Sequence, residues 1–318
     1  MKNLNIFVEK KRFTQFHGIN QTIVGDYRVN ILDGYNLAIR DGKLETNIDI
    51  FFVGHHNTNL ELSEFQHLLD KRLVYVKQHK KSSMLSALNQ VIDDPNYHPA
   101  NIHGCFNAQE DWSEYIFEPS IYYVKPEHGA RSLNQFIVDS RKVSLGHFLQ
   151  QLKTFHEAKE DQAEYLRQLV AQANGHIKHI KGHERFENEH ASLRSSFCVH
   201  ERIADIVKEY RVVSVGFGSA QYFLERIRNQ SNDGVISNEI EYAVLDTLPC
   251  QKIQNALQKA FRKLNIFHGA LDVVITASGK WSIIEVSNQF GGGDIPPSTK
   301  TAIAQDTLKH LINHCISS

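Results

Sequence analysis

Two acidic residues set inside apolar runs carry the chemistry this sequence advertises most clearly. Asp272 interrupts the run from Gly269 to Ile275, and Glu285 follows Ile283 and Ile284 in the run from Trp281 to Val286. A carboxylate in such surroundings costs free energy unless it is paired or coordinates a metal. Magnesium prefers hard oxygen ligands and is usually held by one or two carboxylates together with phosphate oxygens. Upstream stand Lys80-Lys81, the stretch Tyr-Val-Lys-Pro at 123 to 126, then Glu201, Glu209, Arg211 and Arg226. Lysines from different elements can neutralise a triphosphate as mobile point cations, and a loop of mostly small or polar residues such as Gly129-Ala130-Arg131-Ser132 lets backbone N–H groups approach it.

The elements that must position these groups are legible from spacing. Ala277-Ser278-Gly279-Lys280 separates the two acid-bearing runs as a hairpin connection would, which puts Asp272 and Glu285 on adjacent strands. Just before them, Ile253, Ala256, Leu257, Ala260, Phe261 and Leu264 recur at helical spacing. Met84, Leu85, Leu88 and Val91 predict a helix over 80–91 that Asp94-Pro95 stops. Strands are expected at Ile121 to Val124, Phe197 to Val199, Arg211 to Val215 and Gln221 to Arg226. A long amphipathic helix is expected from Leu145 to near Gly175, and the polar stretch from His176 to Ser196 reads as an exposed insertion. A last helix is expected near Ala302 to Ile316. The first stretch, with short apolar runs at Leu4 to Val8 and Ile48 to Val53 between turn-rich spacers, reads as a small α/β lobe.

In this order the residues resemble the ATP-grasp superfamily. In that family one lysine precedes a short helix and a second sits on a strand in a V-K-P pattern, positions that Lys81 and Lys125 match. Val199-His200-Glu201-Arg202-Ile203 looks like the hinge strand that reads adenine, and Glu209 looks like the ribose ligand. Arg211 and Arg226 fall where the family carries arginines facing the transferred phosphate, and the hairpin with Asp272 and Glu285 looks like its metal-binding hairpin. The family's asparagine two residues beyond the metal glutamate is Ser287 here, with Asn288 one place later, a shift that reverses the face on a strand. Either Ser287 replaces the ligand, or a local bulge turns Asn288 inward, or a second metal is weakly held.

The resemblance therefore implies an α/β ATP-grasp fold with an N-terminal α/β, pre-ATP-grasp-like lobe. Its expected parts are 1–79, a central and lid portion 80–215 with an insertion near 150–196, and a C-terminal portion 216–318 with the metal hairpin. It also implies ATP and Mg2+ as cofactors and an ATP-dependent carbon–nitrogen ligase as the activity. A small-molecule or peptide carboxylate would meet an amine through an acyl phosphate. Phosphoryl transfer without ligation, and a nucleotide-binding regulator of low turnover, remain as alternatives. Many relatives are dimers, so a homodimer is among the states it allows.

Several other readings carry less. Arg211 and Arg226 could equally pair with nearby acids such as Glu225 or Glu209. Gly216-Phe217-Gly218 lacks the third glycine of a dinucleotide fingerprint, since Gln221 stands in its place, and a hairpin turn is the better reading. His176, His179 and His183 have a spacing that a helix would align, but Gly175 and Gly182 argue against one. No G-x-S-x-G elbow appears. With 35 basic residues against 36 acidic and a formal net charge of -1, no basic stripe invites nucleic acid. No apolar run reaches membrane-spanning length, so a cytoplasmic protein without a membrane partner is expected. The four cysteines form no C-x-x-C pair and read as reduced thiols.

Overall fold

A computed structural model gives the architecture for residues 1–10, 13–33, 39–40, 43–44, 47–54, 73–76, 81–99, 102–106, 116–126, 135–157, 168, 170–180, 197–227, 241–245, 251–287 and 295–316. The chain divides into two compact units, one of Met1–His79, Ala87–His98 and Val207–Ser318, the other of Lys80–Ser86 and Pro99–Ile206.

The first unit begins with strands β1 (Lys2–Val8), β2 (Gln21–Val24), β3 (Tyr27–Leu32), β4 (Ile39–Arg40), β5 (Lys43–Leu44), β6 (Ile50–Gly54) and β7 (Leu73–Val76). Five of these form a sheet in the order β2-β3-β1-β6-β7, parallel except for the edge strand β2. Strands buried on both faces of a parallel sheet read as unbroken apolar runs. Ile6-Phe7-Val8 and Phe51-Phe52-Val53 do so, and all six are buried. Phe13 stacks on Phe52 at 4.0 Å between ring centroids.

Helix α1 (Lys81–Val91) leads into the second unit's sheet, which is built from β8 (Ile102–Phe106), β9 (Ile121–Pro126), β10 (Gln135–Asp139), β11 (Ile177–Ile180) and β12 (Phe197–Glu201), with helix α2 (Leu145–Glu157) on one face. Its order is β11-β10-β9-β12-β8, antiparallel throughout. Tyr122, Val124, Phe136, Val138, Phe197 and Val199 meet Leu145, Phe148, Leu149 and Leu152 of α2 in one core. Helix α2 is described to Glu157, residues 168 and 170–172 are again helical, and the chain then turns at 173–175, where Asn174 and Gly175 take positive φ. Ile177–Ile180, expected to belong to an exposed insertion, is instead an edge strand paired to β10. Ile-Lys-His-Ile has little periodicity of its own, and the partner strand Gln135–Val138 supplies the ladder that holds it.

The rest of the first unit adds β13 (Ile206–Val215), β14 (Ala220–Ile227), β15 (Glu241–Leu245), α3 (Gln251–Lys263), β16 (His268–Thr276), β17 (Trp281–Ser287) and α4 (Pro297–Cys315). The strands form a second sheet in this unit, ordered β15-β14-β13-β16-β17. Helix α3 buries Ile253, Ala256, Leu257, Ala260 and Phe261. It ends on Asn265 in the left-handed region, whose N–H donates to Arg262 O. Helix α4 starts earlier than periodicity suggested, because Pro297 suits a first helical position where its missing N–H is harmless. Its residues serve two cores: Ala304, Leu308, Leu311 and Ile312 pack into the parallel sheet's cluster, and Ile303 packs with Val213, Val215, Leu224 and Ala270.

The β13–β14 turn is fixed by close packing against α4. Gly216 has φ +61°, and a Cβ there would lie 2.3 Å from His310 Cγ. Gly216→Ala is therefore expected to cost at least about 1–3 kcal/mol, the usual range for a strained backbone, measured as a lowered thermal midpoint of the full chain. Burial holds the His310 imidazole below its ordinary value of about 6.5, with Lys309 acting the same way and Asp306 against it. The folded state thus favours the neutral ring, and the unfolded chain binds more protons as pH falls through the ordinary value. Stability should be level with respect to this group above that pH and decline on acidification below it. His310→Gln should flatten that part of the profile in thermal melts.

Candidate active site

Each unit presents one face that gathers candidate residues. In the second unit, alternation along β9 sends Tyr122 and Val124 into the core, which sets Tyr123 and Lys125 on the opposite face. Lys125 Nζ lies 5.6 Å from the centroid of the Tyr123 ring. His200, registered directly across from Tyr123 on β12, stacks on it at 5.2 Å and 28°. Cys198 is registered across from Lys125. Lysine, tyrosine and imidazole therefore share one surface, a cation backed by flat rings.

The expected hinge lies at the end of this surface. Strand β12 ends at half-buried Glu201, the Arg202 N–H donates to Ile121 O at 2.8 Å, and half-buried Ile203 sits in the short connection before β13. Burial first, and then the charges of Glu201 and Glu118, push the Tyr122 phenol up. Lys81 opens α1. A cation there meets the positive end of the helix, which gains nothing in stability but suits an anionic ligand. Lys80, the Gly129 to Ser132 loop, His183, Asn288 and Gly291 to Gly293 lie outside the described residues.

In the first unit, Asp272 and Glu285 are direct cross-strand partners on β16 and β17. A β-bulge falls beside them: Val273 pairs with Ile283, which leaves Ile284 as the extra residue on β17. Bulges twist a strand locally and re-aim its side chains. Ser287 is registered to Ala270, two residues from Asp272, so strand alternation places Ser287 on the face of both acids.

The arginines complete this face. Arg211 grips Asp272 bidentately, Nε to Oδ1 at 2.8 Å and Nη2 to Oδ2 at 3.0 Å. Two residues along β13, on the same face, Glu209 accepts a hydrogen bond from Arg226 of β14. Both pairs lie largely out of water, with side-chain exposures of 26% and 10% for Arg211 and Asp272, and 12% and 3% for Arg226 and Glu209. The Asp272 charge raises the Arg211 pKa well above its ordinary value, against the pull of burial. Burial pulls Arg226 down, but Glu209 and Asp272 together win and raise it. Both guanidinium groups are locked as oriented cations.

The sequence reading allowed Arg226 to pair with Glu209, as it does, whereas the partner of Arg211 is Asp272 and Glu225 instead holds Lys208. Tyr123 and His200 lie within stretches the sequence reading names but gives no role of their own, and Tyr242 carries no sequence signal. The first lies two residues before Lys125, so a period-two reading finds it. Tyr242, whose ring centroid is 6.0 Å from the Arg211 guanidinium, lies on a short strand that has no strong sequence signal of its own.

No protein-family model matches the chain, and no curated protein matches its sequence. Solved structures do match. A RiPP-associated ATP-grasp ligase of Chryseobacterium gregarium, solved in complex with ADP and a leader and core peptide, aligns over 100% of this chain and 98% of its own, with a TM-score of 0.52 at 13% identity. The D-alanine–D-alanine ligase of Bacillus anthracis covers 100% of this chain and 98% of its own at a TM-score of 0.53 and 12% identity. The chain has the ATP-grasp fold. An L-amino acid ligase from Bacillus licheniformis gives a TM-score of 0.53 at 13% identity over 99% of this chain and 75% of its own. At such identities the likeness is one of backbone architecture. Because it extends over the whole chain, the ATP-grasp likeness includes the N-terminal parallel sheet as well as the acid-bearing hairpin. None of the described helices is long and apolar enough to cross a membrane.

Proposed function

We propose that this ATP-grasp chain is an ATP- and Mg2+-dependent ligase that joins a carboxylate to an amine through an acyl phosphate. The observation that carries the reading is the cross-strand pair of Asp272 and Glu285 sharing a face with two locked arginines.

In this reading Lys81 and Lys125 take the phosphates, the chain from Glu201 to Ile203 reads the adenine edge, and Glu209 takes the ribose hydroxyls. A carboxylate offers about four acceptor positions, so Glu209 can hold Arg226 and accept hydroxyls together. The donor set fits Mg2+: two carboxylates and the Ser287 hydroxyl are hard oxygens on one face. Three carboxylates face two guanidinium groups there, so a further cation is electrostatically compatible. Asp272 and Glu285 would hold the ion, with Ser287 in the asparagine's place and Asn288 the alternative ligand. When bound, the metal supplies charge neutralisation between phosphate oxygens.

Arg211 and Arg226 would orient the substrate carboxylate and the transferring phosphoryl group. Both are held by carboxylates before substrate arrives, so little reorganisation is needed at the reaction step. The carboxylate oxygen attacks the γ-phosphorus, ADP leaves, and the amine displaces phosphate from the acyl carbon. Ser287 on the acid face motivates a second reading, a nucleotide-binding regulator of low turnover.

Incubation with ATP, Mg2+ and pooled amino acids or short peptides separates these readings. ADP and phosphate formed only when a carboxylate and an amine are both present support the ligase. ADP formed with a single acceptor supports phosphoryl transfer, and nucleotide binding without turnover across the pool supports the regulator.

A further inference from the structure

Helix α3 carries a charge pattern that its own folding does not call for. Its inner side buries Ile253, Ala256, Leu257, Ala260 and Phe261, and its exposed positions are Gln251, Lys252, Asn255, Lys259, Arg262 and Lys263. Cations hold most of that outer side, and the helix has no acidic residue along its length. Lys252, Lys259 and Lys263 are spaced so that they line up along one side, with Arg262 beside them. The chain as a whole is nearly neutral, with 35 basic residues against 36 acidic, so the stripe is a local concentration of charge.

Helix stability accounts for only part of this pattern. Arg262 and Lys263 in the last turn suit the negative end of the helix dipole. Lys252 opposes it, standing in the first turn where a carboxylate is favoured and none is present. Lys259 repels Arg262 three places on and Lys263 four places on. Among the described residues none of these four cations is paired with a carboxylate, whereas Lys208, Arg211 and Arg226 on the neighbouring strands all are.

We propose that the outer face of α3 docks an acidic segment of another polypeptide. Charge complementarity and length select this partner. From Lys252 to Lys263 the stripe runs about 16 Å at about 1.5 Å per residue, the reach of about five extended residues. An extended segment with acids at alternate positions turns all of them to one side, toward the row of cations. A membrane surface fits less well, because the apolar residues of α3 are committed to the core and none is left on the outer side to enter lipid. A nucleic acid fits less well too. The outer side has no aromatic ring for a base to stack on, and a chain of net charge -1 has no overall attraction for a polyanion.

Exposed charges of this kind steer encounter and fix register more than they add affinity, and salt screens them. The contact is therefore strongest at low ionic strength. It stands apart from the ligase reading and involves no nucleotide, so it is measured with neither ATP nor Mg2+ present.

The test uses the full chain and a labelled peptide with glutamates at alternate positions, followed by fluorescence anisotropy at low ionic strength. The peptide should bind, and added salt should weaken it. Lys259→Glu with Lys263→Glu should raise its Kd at least about tenfold, since like charges then face each other. The same pair of reversals at the exposed Lys142 and Lys178 of the second unit should leave Kd unchanged. On the parent protein, the peptide should shield Lys252, Lys259 and Lys263 from acetylation, read by mass spectrometry, which decides the matter even if the α3 variant fails to fold. Absence of binding overturns the proposal, as does shielding only of lysines elsewhere or equal binding by the matching glutamine peptide. Tighter binding of a single-stranded oligonucleotide of equal charge, lost with the α3 reversals, would assign the stripe to nucleic acid and overturn it as well.

Discussion

Asp272→Asn is expected to lower Mg2+-dependent ADP formation by roughly a thousandfold or more, the scale on which one preorganised charge-stabilising group acts. The asparagine keeps the size of the side chain and one oxygen for Arg211, so the sheet should persist. It removes the charge that would hold the metal and that fixes the Arg211 guanidinium. Glu285→Gln separates these two effects, since Glu285 is the cross-strand partner of Asp272 and Arg211 grips Asp272. Loss of turnover in both variants, with thermal midpoints near that of the parent, assigns the pair to the metal. Loss in the aspartate variant alone would assign Asp272 to positioning Arg211. Normal turnover in both would remove the hairpin from the chemistry.

Glu209→Ala is expected to have the largest effect on stability. It leaves Arg226, 12% exposed, without the carboxylate that offsets its burial. Breaking a buried pair from one side typically costs about 3–5 kcal/mol. Denaturant titration of the full chain should show the loss, and Arg226→Met in the same background should recover much of it, because the stranded charge is then gone. A single variant that unfolds at the parent midpoint would mean that water reaches Arg226 freely.

The parts of this architecture that local spacing dictates are legible in the sequence. The periodicity from Ile253 to Leu264 marks α3, and the turn at Ala277 to Lys280 puts Asp272 across from Glu285. What was not legible depends on partners distant in sequence. Arg211 and Asp272 are separated by 61 positions, and only the adjacency of β13 and β16 brings them together. Ile177–Ile180 shows the same dependence, being a strand because β10 offers it a ladder. The bulge at Ile284 is a third instance: a single extra residue in the register leaves no trace in an apolar run.

Helix α4 bears on how the chain matures. The parallel sheet formed by the earliest strands shares its core with Ala304, Leu308, Leu311 and Ile312, so during synthesis the part of that core which α4 fills stays open until the helix has been made. Pairing so remote in sequence slows folding and prolongs the lifetime of aggregation-prone species. Nascent chains stalled before Pro297 should therefore engage chaperones through β1, β3 and β6, and release should come with the helix that covers them.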